Sequence, residues 1–283
     1  MGILWSLARW LFGLLALFFV GYILAMSGYH SPPAASIARL APDATPRTVM
    51  VIGATGALGR ELVSVLRERG DNVVAMARAS SDTAVIDGLG ADKVVADALD
   101  AEQVMTAVGA RPVDAIISAL GTSATDLPER MNPIKAMIKG PPRMDPDKRP
   151  DFIGNRNVIE AARKHKIARF ILVSVVGAGD SAEATPLAAR KAHSAVVPLK
   201  TMAEDHLRGS GLQYTIIRPG GLGKQPATAN AVLVEDPLAF SFISRSDLAR
   251  LTVAALHDST TVGKTYTAYD SDRRMLWQLF TAK

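Results

Sequence analysis

The sequence predicts an α/β fold, a doubly wound parallel sheet, with an N-terminal transmembrane helix before it and a small C-terminal portion after it. Three observations carry that prediction. From Thr48 onward, short β-branched runs alternate with amphipathic helical stretches, as in stacked βαβ units. The glycine-rich segment GATGALGR, Gly53 to Arg60, lies between the first such run and the first helical stretch. Ahead of both, Trp10 to Met26 contains no charged residue.

With 283 residues and 48% hydrophobic content, the chain can bury a sizeable core, so wholesale disorder is excluded. The absence of cysteine removes disulfides, thiolate zinc sites, iron–sulfur clusters and cysteine nucleophiles. A net charge of +5 is spread among acidic residues rather than gathered in a stripe, which argues against a nucleic-acid partner. Four regions follow: an anchor over 1–27, a tether over 28–47, the α/β domain over 48–221 and a small portion over 222–283.

The N-terminal apolar stretch extends back to Ile3 if Arg9 snorkels to the interface. At a rise of about 1.5 Å per residue it just spans a bilayer core of about 30 Å, with Trp5, Trp10 and Tyr22 or Tyr29 near the interfaces. A single-pass membrane localisation with the soluble domain in the cytoplasm is the expectation, and membrane lipid is then a partner. A cleaved secretory signal ending at Ala25-Met26-Ser27 is the alternative. Four prolines between Ser27 and Arg47, with no sustained period, mark the tether.

Strands are expected over Thr48 to Ile52, Asn72 to Ala77, Lys93 to Ala96, Ala115 to Ser118, Phe170 to Ser174 and Tyr214 to Arg218. Helices fall between them. The first, Ala57 to Arg69, puts Leu58, Leu62, Val65 and Leu66 on one face and stops at Gly70. Others run from Asp100 to Val108 with Gln103 set for a capping box, from Phe152 to Lys164, and from Leu199 to Leu207. SRSDLARLTVAALHD supplies a further helix packed on the core. Two long loops, Gly121 to Pro150 and Ala178 to Val197, follow strand ends, where open α/β sheets bind ligands; they read as substrate-side lids or as surface insertions.

The chemistry concentrates in the glycine loop. Gly53 allows a tight exit from the strand, Gly56 lets backbone approach a pyrophosphate, and Gly59 allows the helix to pack closely. The helix N-terminus then offers free N–H groups and positive potential to phosphates, which makes this a dinucleotide (Rossmann) site. No Lys-Ser/Thr pair follows, so a P-loop ATPase is disfavoured. Arg78 ends the second strand where an acidic residue would grip the ribose hydroxyls of NAD(H). An arginine there favours a 2′-phosphate and hence NADP(H), with Arg60 and Ser80 able to assist; an exposed loop arginine is the alternative. Asp97 either accepts from the adenine amino group or caps the next helix.

These residues, with NRNVIEAARKHKIARFILVSVVGAG, LKTMAEDHLRGSGLQYTIIRPGGL and ISRSDLARLTVAALHD, resemble the atypical short-chain dehydrogenase/reductases of the NmrA-like, NAD(P)H-binding kind over about Thr48 to Asp270. The resemblance implies cofactor contact by Gly53, Thr55, Gly56, Ala57, Leu58 and Gly59 of the loop, by Arg78 and by the Asp97 turn. It also implies contact by Ala119, Leu120 and Gly121, by Ser174, and by Pro219, Gly220, Gly221 and Leu222. The wider superfamily uses Tyr-x-x-x-Lys, in which the lysine lowers the tyrosine pKa for proton transfer. Here Lys200 stands at the lysine position and Val196 at the tyrosine position. Lys200 and Ser174 remain the catalytic candidates, Lys200 for holding the nicotinamide ribose and Ser174 for orienting substrate; a lysine simply exposed at a helix start is the alternative for Lys200.

Three functions are compatible with this pattern. They are an NADPH-dependent reductase of an apolar or membrane-proximal substrate, a non-catalytic NADP-binding sensor or regulator, and an assembly factor for a membrane protein complex. The five histidines are dispersed, so no metal site is expected; they read as solvated surface residues, with His193 in the second long loop facing substrate as the alternative. Met131, Met137 and Met144, interleaved with lysines and arginines, form either an adaptable apolar contact, a face for anionic lipid or a solvated loop.

Overall fold

A computed structural model describes residues 2–26, 37–122, 144–185 and 195–272. In chain order, the strands are β1 (Thr48–Ile52), β2 (Asn72–Ala77), β3 (Asp92–Val95), β4 (Ala115–Ser118), β5 (Arg169–Val173), β6 (Gln213–Pro219), β7 (Gly221–Gly223), β8 (Ala231–Val234), β9 (Phe242–Ser244) and β10 (Lys264–Asp270). The helices are α1 (Gly2–Met26), α2 (Ala57–Arg69), α3 (Ala84–Gly88), α4 (Ala101–Gly109), α5 (Asn155–Lys164), α6 (Val197–Arg208) and α7 (Arg245–Leu256).

An 8-stranded sheet has the order β3-β2-β1-β4-β5-β6-β10-β8, parallel except for β8, which pairs antiparallel to β10. Strand alternation divides the core into two layers. Val49 and Val51 of β1 face a cluster with Leu62 and Leu66 of α2 and Leu248 and Val253 of α7. Met50 and Ile52 face the other side, against Val104 of α4, Val158 and Ile159 of α5 and Ala203 and Leu207 of α6. Helices thus cover both faces, as right-handed βαβ crossovers require, and the order of strand addition reverses between β1 and β4, β2 and β3 lying on one side of β1 and β4 to β6 on the other.

Residues 222–272 do not form a unit apart. They add β10 and β8 to the main sheet and lay α7 on α2, because Tyr266 and Ala268 bury into the same cluster as Val49 and Val51. The helix expected from Phe152 begins instead with a π turn, Pro150–Gly154, before α5. The Asn155 side chain donates to the carbonyls of Pro150 and Asp151 at 3.2 and 2.9 Å, and an inserted side-chain donor of this kind opens a first turn. Asp100 caps α4 by accepting from the amides of Glu102 and Gln103, while Gln103 returns its carbonyl oxygen to the Asp97 amide at 3.0 Å.

α1 is a 25-residue helix whose side chains are described at positions 5, 6 and 9–22, exposed except at half-buried Tyr22. Among the described residues, no helix is long and apolar enough to cross a membrane, so the expected transmembrane span is not supplied by the structure. The end of the tether is packed rather than loose. The Ala38 amide donates to Leu233 at 2.7 Å on the β8 edge, the Ala41 amide to Asp258 at 2.7 Å, and Ala38 and Leu40 touch the core. Residues 123–143 of the first long loop and 186–194 of the second lie outside the described residues; with them go Met131, Met137 and His193.

Two buried polar knots hold the carboxyl-terminal half. Arg169 at the start of β5 donates to the carbonyls of Leu256, Ala255 and Gln213 and to the hydroxyls of Thr215 and Thr261, which satisfies the last carbonyls of α7 without any carboxylate. Burial, with Arg47 nearby, lowers its pKa to about 10, so it stays charged at neutral pH. At the amino ends of the strands, fully enclosed His257 bonds Asp71 at 3.1 Å and Arg69 at 3.0 Å. Asp43 and Arg47 of the tether close the same cluster, Asp43 by a backbone bond to His257 and Arg47 by bonds to Asp71 and Leu256.

Burial pushes His257 below the ordinary histidine range; Asp71 opposes this, and Arg69 and Arg47 reinforce it. A histidine depressed in the folded state is neutral there while the unfolded chain takes up a proton below about pH 6.5. Stability linked to His257 is therefore present above that pH and falls as pH drops toward the folded-state value. In His257→Gln, which keeps a donor for Asp71, the loss of urea stability between about pH 7 and about pH 5.5 should be smaller than in wild type. An unchanged slope would show that His257 does not set it.

Candidate cofactor site

At the carboxyl ends of the strands, beside the reversal between β1 and β4, lies a crevice of about 320 Å³. That is the volume of a small-molecule pocket and fits the nucleotide half of a dinucleotide. Its floor is Gly53, Thr55 and Gly56 from the turn after β1. One wall is Met76 and Ala77 at the end of β2 with Arg78 and Ser81 beyond it, and Ala96, Asp97 and Leu99 beyond β3. The other is Ala119, Leu120, Gly121 and Thr122 beyond β4, with Lys148, Arg149 and Pro150 entering the π turn.

The loop geometry follows from its glycines. Gly53 has φ 78°, a left-handed conformation, and a Cβ there would sit 3.0 Å from the Ala119 carbonyl oxygen. At Gly59 a Cβ would lie 2.1 Å from the Gly53 oxygen and 2.7 Å from Ala54 Cα, so only glycine lets α2 approach β1 this closely. No side chain caps the N-terminus of α2, and its first turn carries no acidic residue. The helix therefore turns uncapped amides and the positive end of its dipole toward the crevice, a donor set that fits a pyrophosphate.

Arg78 is exposed at the rim and makes no ion pair among the described residues. The Asp97 carboxylate accepts from the Leu99 amide at 3.0 Å and holds the turn after β3; capping of the next helix falls to Asp100. Of the residues expected at the cofactor, the crevice gathers Gly53, Thr55, Gly56, Arg78, Asp97, Ala119, Leu120 and Gly121. Ala57, Leu58 and Gly59 follow directly on the floor, Gly59 buried behind it. Pro219 to Leu222 lie apart from this crevice and pack toward β9, where a Cβ on Gly220 would be 1.8 Å from the Ser241 oxygen.

Ser174 and Lys200 are turned to other partners. The buried Ser174 hydroxyl donates to Glu204, which also receives Arg218 at 3.0 and 2.6 Å and Arg208 at 3.0 Å. Burial alone would weaken the charge on Arg218, but Glu204 and then Asp180 raise its pKa above the ordinary arginine value. The network ties β5, β6 and α6 to the turn Gly179–Ala184. Lys200 Nζ bonds the Leu120 carbonyl and reaches Val173 O at 3.4 Å and Asp151 at 3.5 Å. Val196 sits one turn before it, its carbonyl accepting from the Lys200 amide.

Sequence reasoning missed Thr122, the Lys148 to Pro150 segment, Ser81 and the buried Asp151. Asp151 did leave a signal, because it stands at helical spacing with Asn155, Val158 and Ala162, all buried, so a carboxylate shares an otherwise inward face.

The profile of the NAD(P)H-binding family matches residues 53–259. The uncharacterized sugar epimerase YhfK of Bacillus subtilis is 32% identical over 228 residues, covering 79% of this chain and 94% of that protein. The structure of ChuY, an anaerobillin reductase from Escherichia coli, superposes with a TM-score of 0.63 at 27% identity, over 81% of this chain and 99% of that one. The photosystem II assembly factor Ycf39 of Synechocystis sp. is 25% identical over 77% of this chain and 61% of its own length. With its glycine loop, uncapped α2 and reversal-point crevice, the chain belongs to the NAD(P)H-binding family, among the atypical short-chain dehydrogenase/reductases of the NmrA-like kind.

Proposed function

We propose that the protein is an NADPH-dependent reductase acting on an apolar or membrane-proximal substrate. The observation that carries this is the crevice, where uncapped α2 amides meet the exposed Arg78 guanidinium at the ribose end. The α2 terminus holds the pyrophosphate, Arg78 pairs with the adenosine 2′-phosphate, and Asp97 meets the adenine. Bound NADPH supplies the hydride. Lys200 and Ser174 stand at the ends of β4 and β5, on the nicotinamide side of the reversal, where they fix the strand ends against which that half lies. ChuY, a reductase of similar fold, supports the reading.

Val196 at the tyrosine position supports a second one. Without the phenol, the chain serves as a nucleotide-dependent sensor or an assembly factor for a membrane complex, the role that the name of Ycf39 carries. The two separate on turnover: a reductase consumes NADPH when offered carbonyl, quinone or tetrapyrrole acceptors, whereas a sensor binds it without consuming it.

The apolar side chains of α1, with Trp10, Phe12 and Phe18 each more than 70% exposed, support attachment to a lipid surface through this helix. The body then lies on the cytoplasmic side, where NADPH is regenerated. The full chain should float with phosphatidylcholine vesicles, and a chain starting at residue 37 should remain at the bottom of the gradient. Equal flotation of both would remove α1 from the account.

For the cofactor, Arg78→Ala should weaken NADPH binding roughly ten- to hundredfold and leave NADH nearly unchanged, as read by nicotinamide fluorescence. Parallel weakening of both nucleotides would separate Arg78 from the 2′-phosphate.

A further inference from the structure

On the side of the reversal opposite Arg78, groups from four elements meet behind the crevice wall with little access to water. Asp151, in the π turn, is 0% exposed and Lys200, in α6, is 6% exposed. Asp151 Oδ2 accepts from the Thr122 amide at 2.8 Å and from the Thr122 hydroxyl. Its Oδ1 has no hydrogen-bond partner, and Lys200 Nζ stands 3.5 Å away. Gly121, which lines the crevice, covers the pair: a Cβ on it would lie 3.4 Å from Oδ1 and 3.7 Å from Nζ.

An ammonium has three donors. Two of those on Lys200 reach carbonyls at the ends of β4 and β5, and the third is left for Asp151. The turn Leu120–Thr122 is thereby held from both ends, Leu120 by the lysine and Thr122 by the aspartate. Buried ions hold such geometry only as a pair, because removing either leaves the other charge uncompensated in a dry site. The turn borders the path from the pyrophosphate at β1 toward β4 and β5.

We propose that Asp151 is a positioning residue for the nicotinamide half of the cofactor, acting through Lys200 and the Leu120–Thr122 turn behind Gly121. This rests on the crevice being the NADP(H) site. A purely structural carboxylate would affect every ligand of the crevice alike, whereas a positioning residue on the β4–β5 side affects only a ligand that reaches there.

Two probes distinguish these cases: NADPH, and adenosine 2′,5′-bisphosphate, which carries the adenosine end without the nicotinamide. Calorimetric titration of the full chain in detergent should show Asp151→Asn weakening NADPH about tenfold or more while leaving the bisphosphate within about twofold. The double variant Asp151→Asn/Lys200→Met should lose far less NADPH affinity than the two single losses combined, since the pair acts as a unit. If Asp151→Asn does not fold, Lys200→Met is read by the same two probes and should show the same selective loss. NADPH affinity unchanged, or both probes weakened equally, overturns the proposal while leaving the crevice reading intact. Wild type that binds neither probe overturns the crevice reading itself, and the proposal with it.

Discussion

The contact on which the rest depends is the approach of α2 to β1 at Gly59. With a side-chain carbon there, the helix would have to withdraw from a backbone oxygen 2.1 Å away. Several features hang on that one missing methyl. The α2 amides point over the end of the central strand, Leu62 and Leu66 reach the sheet, and α7 packs beside α2 in the same core layer. Gly53, with its positive φ, turns the chain out of β1 so that the approach can begin. Fold and phosphate site are therefore one constraint in this molecule, because the packing that completes the core also aims the donors.

Buried charge does the corresponding work at the far end of the chain. Arg169 ends α7 by filling its last carbonyls, Arg218 joins β6 to α6 through Glu204, and His257 with Asp71 receives the tether. Each is a polar group held in a dry interior by several hydrogen bonds, as burial demands. On the crevice side Asp151 retains an oxygen without a donor and Lys200 is shared among three acceptors; in the His257 cluster Arg69 Nε is likewise without a hydrogen-bond partner, 3.5 Å from Asp71.

Local periodicity made much of the fold legible. β1, β2, β4 and α2 could be read to the residue, because continuous β-branched runs and a glycine-stopped amphipathic face leave little competition. The glycine loop could be read because backbone geometry demands glycine there, and Arg78 could be placed at the crevice because it directly follows a strand with clear bounds. What escaped was non-local. Lys264–Asp270 becomes a core strand only because β6 offers it an edge, which no window on the sequence reveals. Ser174 looked available until Glu204, thirty positions later in the chain, took its hydroxyl. Asp151 fell between the long loop expected to end at Pro150 and the helix expected from Phe152, and only the fold buries it, in the π turn that precedes α5.

The proposed function requires the crevice between Arg78 and the Leu120–Thr122 turn to hold NADP(H) extended across the switch between β1 and β4. A crystal structure of the protein grown with saturating NADP+ tests it most directly. The expected density has the pyrophosphate against the amides of Gly56 to Gly59, the 2′-phosphate beside Arg78 and the nicotinamide over the ends of β4 and β5. A dinucleotide bound elsewhere, or no dinucleotide in the crevice under those conditions, would contradict the account.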